Sequence, residues 1–198
     1  MSVAISVKEA VMQNELGVPF TTQQFLSLGS RESVDKALSR LVNTEVIMRL
    51  ARGVFARPRK SKYAGVILPT AHEVLELVAE KNLETIQIHG AEAVRLLGLS
   101  TQTPFQKMYY TSGSSRTIQI VGQPVTLIHT ANKRLLQHAG TNVGLAISAL
   151  LYMGKEEVTP NTVVEIKNKL STAEFQTLTE ASLPAWLQPL LNDAIEEE

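Results

Sequence analysis

LGSRESVDKALSRLVNTEVIMRLARGVFARPRK, residues 28–60, strings together a helix, a two-strand turn and a tail of cations. Ser30 is a good N-cap, and Val34, Ala37, Leu38 and Leu41 then recur at i, i+3, i+4 and i+7, the stripe of a helix with one buried face. Arg31, Ser33, Lys36 and Arg40 therefore fall on its other faces, with Glu32 and Asp35 among them. Val46–Leu50 and Val54–Ala56 read as short strands joined by Ala51-Arg52-Gly53, a tight turn in which glycine can take a positive φ. Pro58 is expected to close the unit.

Working outward, Ser6–Glu15 is predicted helical up to Gly17-Val-Pro19. Thr21-Thr-Gln-Gln24 matches a capping box for a helix of about two turns that ends at Gly29. Three short helices followed by a hairpin predict a winged helix-turn-helix over residues 1–62. In that arrangement a helix buried along one stripe can lay its opposite face in a DNA major groove, with its N-terminal residues nearest the base edges. Arg31 and Ser33 occupy that first turn. Arg49 and Arg52 in the hairpin, and the arm Arg57-Pro-Arg59-Lys60, suit phosphates or a minor groove.

Net charge is zero over 198 residues, yet residues 1–65 hold ten Lys/Arg against five acids and residues 66–198 hold nine against fourteen. No acid occurs between Val46 and His72. A split of this kind is expected when one part of a chain meets a polyanion and the other does not. A solvated basic surface or a protein-interaction winged helix would share some of these features, and Glu32 and Asp35 would repel phosphate. The acid-free span joined to the hairpin favours DNA.

Beyond residue 66 a second domain, 66–198, is expected. Tyr63–Val66 reads as a connector, and Thr70 caps a helix running to about Asn82. Thr85–His89 reads as a strand and Gly90–Leu97 as a helix. Lys107–Thr111, Arg116–Val121 and Val125–His129 predict three strands of a small antiparallel meander. The remainder reads as helices: Val143–Met153 stopped by Gly154, one opened by Thr159-Pro160, one with the capping-box signature Ser171–Glu174, and Pro184–Ile195 carrying Trp186. The fold class expected is α+β, an N-terminal winged helix-turn-helix followed by a mixed domain with a small antiparallel sheet and several helices.

Gly29-Ser-Arg31, Val34–Leu41, Arg49–Phe55, Leu96–Thr101, Ser114–Thr117 and Leu127–Thr130 resemble, in order and spacing over nearly the whole chain, the AbiEi-type antitoxins of bacterial type IV toxin–antitoxin modules. The resemblance implies a transcriptional autorepressor that binds operator repeats through its winged helix and neutralises a nucleotidyltransferase-like toxin. Carried over by position, Arg31, Ser33, Lys36, Arg40, Arg49 and Arg52 would face DNA. The chain departs from the family pattern in Glu45 beside the wing and in the very short turn at Arg52-Gly53.

No chemistry competes with that expectation. With no cysteine in the chain, disulfides and thiolate metal sites are excluded. His72, His89, His129 and His138 show no metal-type spacing. Ser112-Gly-Ser-Ser-Arg116 lacks the Gly-Lys-Ser/Thr ending of a phosphate loop and lies between strands. Adjacent Glu156 and Glu157 diverge on a helix and make no acid/base pair. The sequence thus predicts no catalysis and no cofactor. It predicts a cytoplasmic protein without a membrane span or signal segment, monomeric or weakly dimeric, pairing on inverted repeats of double-stranded DNA.

Overall fold

Ser2 opens the first helix, its Oγ accepting the Ile5 amide at 3.4 Å, and α1 (Val3–Gln13) buries Val7 and Val11. The computed structural model describes residues 2–63 and 65–196. After α1 come β1 (Pro19–Thr21), a 3-10 helix (Thr22–Leu28), α2 (Arg31–Asn43), β2 (Met48–Ala51) and β3 (Val54–Ala56). The three strands form an antiparallel sheet in the order β1-β3-β2. Helix, strand, helix, helix and hairpin in this order are a winged helix-turn-helix, and the fold is α+β.

Local chemistry explains why these segments adopt these forms. Ser30 Oγ accepts the Ser33 amide at 3.3 Å, and α2 buries Val34, Ala37, Leu38 and Leu41, the stripe expected from spacing. The capping box at Thr21 does not form: Thr21 makes no side-chain cap and lies in β1 opposite Val54. The next amide, Thr22 N, donates to Gly53 O at 3.1 Å, so the hairpin turn takes a donor that a cap would have satisfied. Phe20 joins the sheet to the helices, edge-on to Phe25 at 5.6 Å and stacked on Phe55 at 6.2 Å. Burying each such ring contributes about 1.5–3 kcal/mol.

Pro58 does not end this region. β4 (Arg59–Ser61) and β5 (Gly65–Ile67) follow as a separate two-stranded hairpin where a basic arm and a connector were expected. Then α3 (Ala71–Asn82) starts at the capping box of Thr70 and Glu73. The first compact unit of the chain comprises Met1–Leu83 and Ile118–Pro124; the second comprises Glu84–Thr117 and Val125–Glu198. The first unit thus runs past residue 62, takes in α3, and includes a distant turn whose Val121 amide donates to Leu50 O at 2.8 Å.

The second unit contains β6 (Ile86–Ile88), α4 (Gly90–Leu96), β7 (Lys107–Thr111), the first two residues of β8 (Arg116–Ile120) and residues 125–129 of β9 (Gln123–His129). The sheet order is β6-β7-β9-β8, and β7 and β9 run parallel, Lys107 opposite Val125 through Thr111 opposite His129. This corrects the expected antiparallel meander. Residues 112–115 do not fold β8 back beside β7. They cross the end of β9, where the His129 amide donates to Ser115 Oγ at 2.8 Å and His129 Nδ1 lies 2.7 Å from Gly113 O.

α5 (Asn142–Glu157) packs on β6, and α6 (Pro160–Lys167), α7 (Thr172–Glu180) and α8 (Leu187–Glu196) follow, α7 against α5 and α6 against α8. Thr159 and Ser171 close capping boxes at the starts of α6 and α7, and Gly154, at φ 72°, breaks the helical path of α5. Their core gathers Ala146, Ile147, Leu150, Val163, Leu178 and Leu187, all with no exposure, and Trp186 packs at its edge. No helix among the described residues is long and apolar enough to cross a membrane.

Candidate nucleic-acid interface

The exposed side of α2 is set by its buried side. With Val34, Ala37, Leu38 and Leu41 inside, Arg31, Glu32, Asp35, Lys36, Ser39 and Arg40 line one shallow surface. Two of its cations are paired along the helix, Arg31 Nε with Asp35 Oδ2 at 3.1 Å and Lys36 Nζ with Glu32 Oε1 at 2.6 Å. Those four side chains are 51–78% exposed, so each pair contributes only about 0.3–0.5 kcal/mol. A phosphate can replace an acid there at little cost. The acids nevertheless cancel the charge of the first two turns, which leaves Arg40 as the uncompensated cation of this surface.

Ser33, named from sequence as a groove-facing residue, is engaged in the cap. Its amide donates to Ser30 Oγ, and its own Oγ accepts from Ser30 Oγ at 2.9 Å. Arg57 is also turned inward. Its Nη1 donates to Met12 O at 2.8 Å and Asn14 O at 2.7 Å, where α1 leaves carbonyls without helical partners. Its backbone bridges Leu16, and its carbonyl accepts the Gly17 amide at 2.8 Å. Arg57 is therefore a clamp that joins the exit of α1 to the strand leaving β3.

The other expected cations stay outside. Arg49, Arg52, Arg59 and Lys60 are exposed, and Arg49 lies 5.4 Å over the Phe55 ring. Neither these four nor Arg40 pairs with an acid among the described residues. The β2–β3 turn is closed in on one side: Gly53, at φ 76°, sits so that a side chain there would meet Lys81 Nζ at 3.3 Å and Thr22 Oγ1 at 3.7 Å. The reading of the sequence missed Lys62 and Tyr63, at the end of the β4–β5 hairpin, with Tyr63 92% exposed and Lys62 Nζ 6.0 Å from its ring. The signal was present: a cationic run, a glycine, then Val66 and Ile67.

The second unit offers a different type of polar cluster. Arg116 Nη2 binds Glu84 Oε2 at 2.6 Å, Thr111 Oγ1 donates to the same oxygen at 3.2 Å, and Gly113 presses against the carboxyl group. His89 caps α4 by accepting the Ala91 amide on Nδ1 at 3.3 Å, its ring 4.8 Å from Tyr110 and 5.5 Å from Tyr152. Burial disfavours its charged form and holds its pKa below the ordinary histidine value. These groups have mutual partners and stabilise turns. Among the described residues no three His, Asp or Glu side chains gather as a metal site would require.

Among solved structures, the RV2827C protein from Mycobacterium tuberculosis is similar at 14% identity and a TM-score of 0.44, with 94% of this chain and 79% of that chain covered. No curated protein matches the chain. A family model described as a family of unknown function, DUF6088, matches residues 6–178, and the chain belongs to that family.

Proposed function

We propose that this chain is a cytoplasmic transcriptional repressor that binds double-stranded DNA through its winged helix, two copies pairing on inverted repeats, and acts without catalysis. The observation that carries the reading is the set of outward cations in the first unit, Arg40, Arg49, Arg52, Arg59 and Lys60, all without an acid partner among the described residues. They sit on a winged helix whose α2 keeps a polar face opposite its core. Positive charge of this kind binds phosphate by releasing counterions, whatever the base sequence. Base readout then falls to the first turns of α2, where Arg31 can exchange Asp35 for a base edge. The resemblance to AbiEi-type antitoxins extends the proposal: the repressor would also neutralise a nucleotidyltransferase-like toxin, with the second domain supplying the contact.

The test is a gel-shift titration of the full chain with its own upstream region against random duplex at several salt concentrations. Binding should weaken steeply with salt, and Arg31→Ala should reduce affinity for the cognate duplex about tenfold or more while changing random duplex less. Equal loss on both duplexes would make Arg31 a phosphate contact only. No binding to either duplex, together with a stable complex formed with the product of the adjacent gene, would replace DNA binding with a purely protein-inhibiting role.

A further inference from the structure

The β4–β5 hairpin has features that the folding of the first unit does not require. Its strands pair only with each other, outside the β1-β3-β2 sheet. Arg59, Lys60, Lys62, Tyr63, Gly65, Val66 and Ile67 are all exposed, Tyr63 at 92%. An isolated two-stranded hairpin is marginal in water, and an aromatic ring left in solvent gives up its hydrophobic stabilisation. The base is nevertheless fixed, because Arg57 clamps two carbonyls of the α1 exit and bridges Leu16 immediately before β4 begins. The element is anchored at one end and open at the other.

Its composition indicates what it meets. Register places Arg59 opposite Ile67 and Lys60 opposite Val66. Cross-strand partners share a face, so each face of the ribbon carries one cation beside one aliphatic side chain. Lys62 and Tyr63 continue the pattern toward the tip. No acid lies within the whole span from Val46 to His72, so a polyanion is the complementary partner. A two-stranded ribbon is narrow enough for a DNA groove, and apolar or aromatic side chains at its end can lie against sugars and base edges while cations hold the flanking phosphates.

The hairpin that a winged helix would normally offer is less suited to this. The β2–β3 turn is two residues long, Arg52-Gly53, and its glycine is approached by Lys81 and by Thr22, whose amide binds the Gly53 carbonyl. We propose that the β4–β5 hairpin is the functional wing: it lies as a ribbon in a groove of duplex DNA, Lys60 and Lys62 on phosphates and the Tyr63 ring against the groove wall. This assignment rests on the duplex-binding reading above and names the element that completes it.

The test compares full-length variants on the upstream duplex across a salt series. Tyr63→Ala should weaken binding about tenfold with an unchanged salt slope, and Tyr63→Phe should bind nearly as the parent, because the contact is the ring face. Lys60→Ala with Lys62→Ala should flatten the salt slope by about two units. All three side chains are exposed, so thermal melts should remain superimposable and loss of fold will not mimic loss of contact. If the hairpin variants bind as the parent while Arg31→Ala with Arg40→Ala weakens binding, the wing assignment is overturned and the duplex-binding reading stands. If the hairpin variants weaken and the α2 double variant does not, the wing stands and α2 is not the reader. Absence of duplex binding by the parent overturns both. A concentration-dependent dimer that Tyr63→Ala abolishes without affecting DNA affinity would make the hairpin a self-association surface and overturn the proposal.

Discussion

The two units of the molecule use their polar side chains in opposite directions. In the first, the buried polar residues described are Thr21 and Thr22, and most of its cations lie outside on α2, β2, the β2–β3 turn and the β4–β5 hairpin. In the second, Gln87, Thr111, Ser148, Thr162 and Thr179 are buried, and the Glu84–Arg116 pair is only 15% and 25% exposed. Ser148 Oγ, from the interior of α5, donates to Ile88 O at 2.7 Å and holds that helix to the sheet. Outward charge costs little stability and is available to a partner, whereas inward polar groups fix geometry and are costly to disturb. The comparison therefore separates residues that hold the fold from residues that can recognise something.

The largest effect that tests this contrast is expected at Gly90. A methyl group there would overlap Tyr152 and crowd the Ser148 carbonyl, because α4 and α5 approach through that glycine. Gly90→Ala should cost about 3 kcal/mol, at the upper end of overpacking penalties, read as a lower urea midpoint. Next comes Arg116→Ala, which leaves the Glu84 carboxylate with only Thr111 as a side-chain partner. A loss of about 2 kcal/mol is expected, less than the ~3–5 of a fully buried pair because both side chains remain partly open. A change below about 0.5 kcal/mol would place the pair with ordinary surface pairs and blur the contrast.

A pH effect should arise from the second unit too. Burial favours the neutral form of His89, and its Nδ1 can accept the Ala91 amide only while unprotonated. Its folded pKa therefore lies below the unfolded value of about 6.5. Between the two, the unfolded chain binds more protons, so this stabilisation is complete above about pH 6.5 and is lost as pH falls toward the folded pKa. Denaturant midpoints at pH 7.5 and 5.5 should differ in that direction, and His89→Asn, which caps without titrating, should flatten the difference. The smallest effect is expected in the first unit. Arg31→Ala should shift stability by less than about 0.5 kcal/mol even where it alters duplex affinity, since only an exposed pair with Asp35 is lost.

Four helix starts were legible in the sequence, while α1, expected from Ser6, begins at Val3 under the Ser2 cap and α5 is capped by Thr141, which went unread. Ser30, Thr70, Thr159 and Ser171 all cap as their neighbours predicted, and the stripe from Val34 to Leu41 is buried as its spacing required. Thr21 shows the limit of such readings. It carries the same signature but pairs with Val54 in β1, because a strand more than thirty residues away supplied an alternative partner. The cations of the candidate interface were legible as residues but not as roles. Arg57 looked like its neighbours until the α1 carbonyls claimed it, and Ser33 until Ser30 did.

The sequence by itself determined most of the helices, the β2–β3 hairpin and the charge asymmetry, since caps, periodic stripes and acid-free runs act over a few residues. Tertiary structure alone decided that β9 enters between β7 and β8, that Thr21 joins β1 opposite Val54, and that residues 118–124 group with the first unit. The physical reason is that a strand pattern specifies a pleated segment and its faces but carries no record of its neighbour. The pairing is chosen by whichever distant backbone satisfies its amides while burying its apolar side, and that choice is made only in the folded chain.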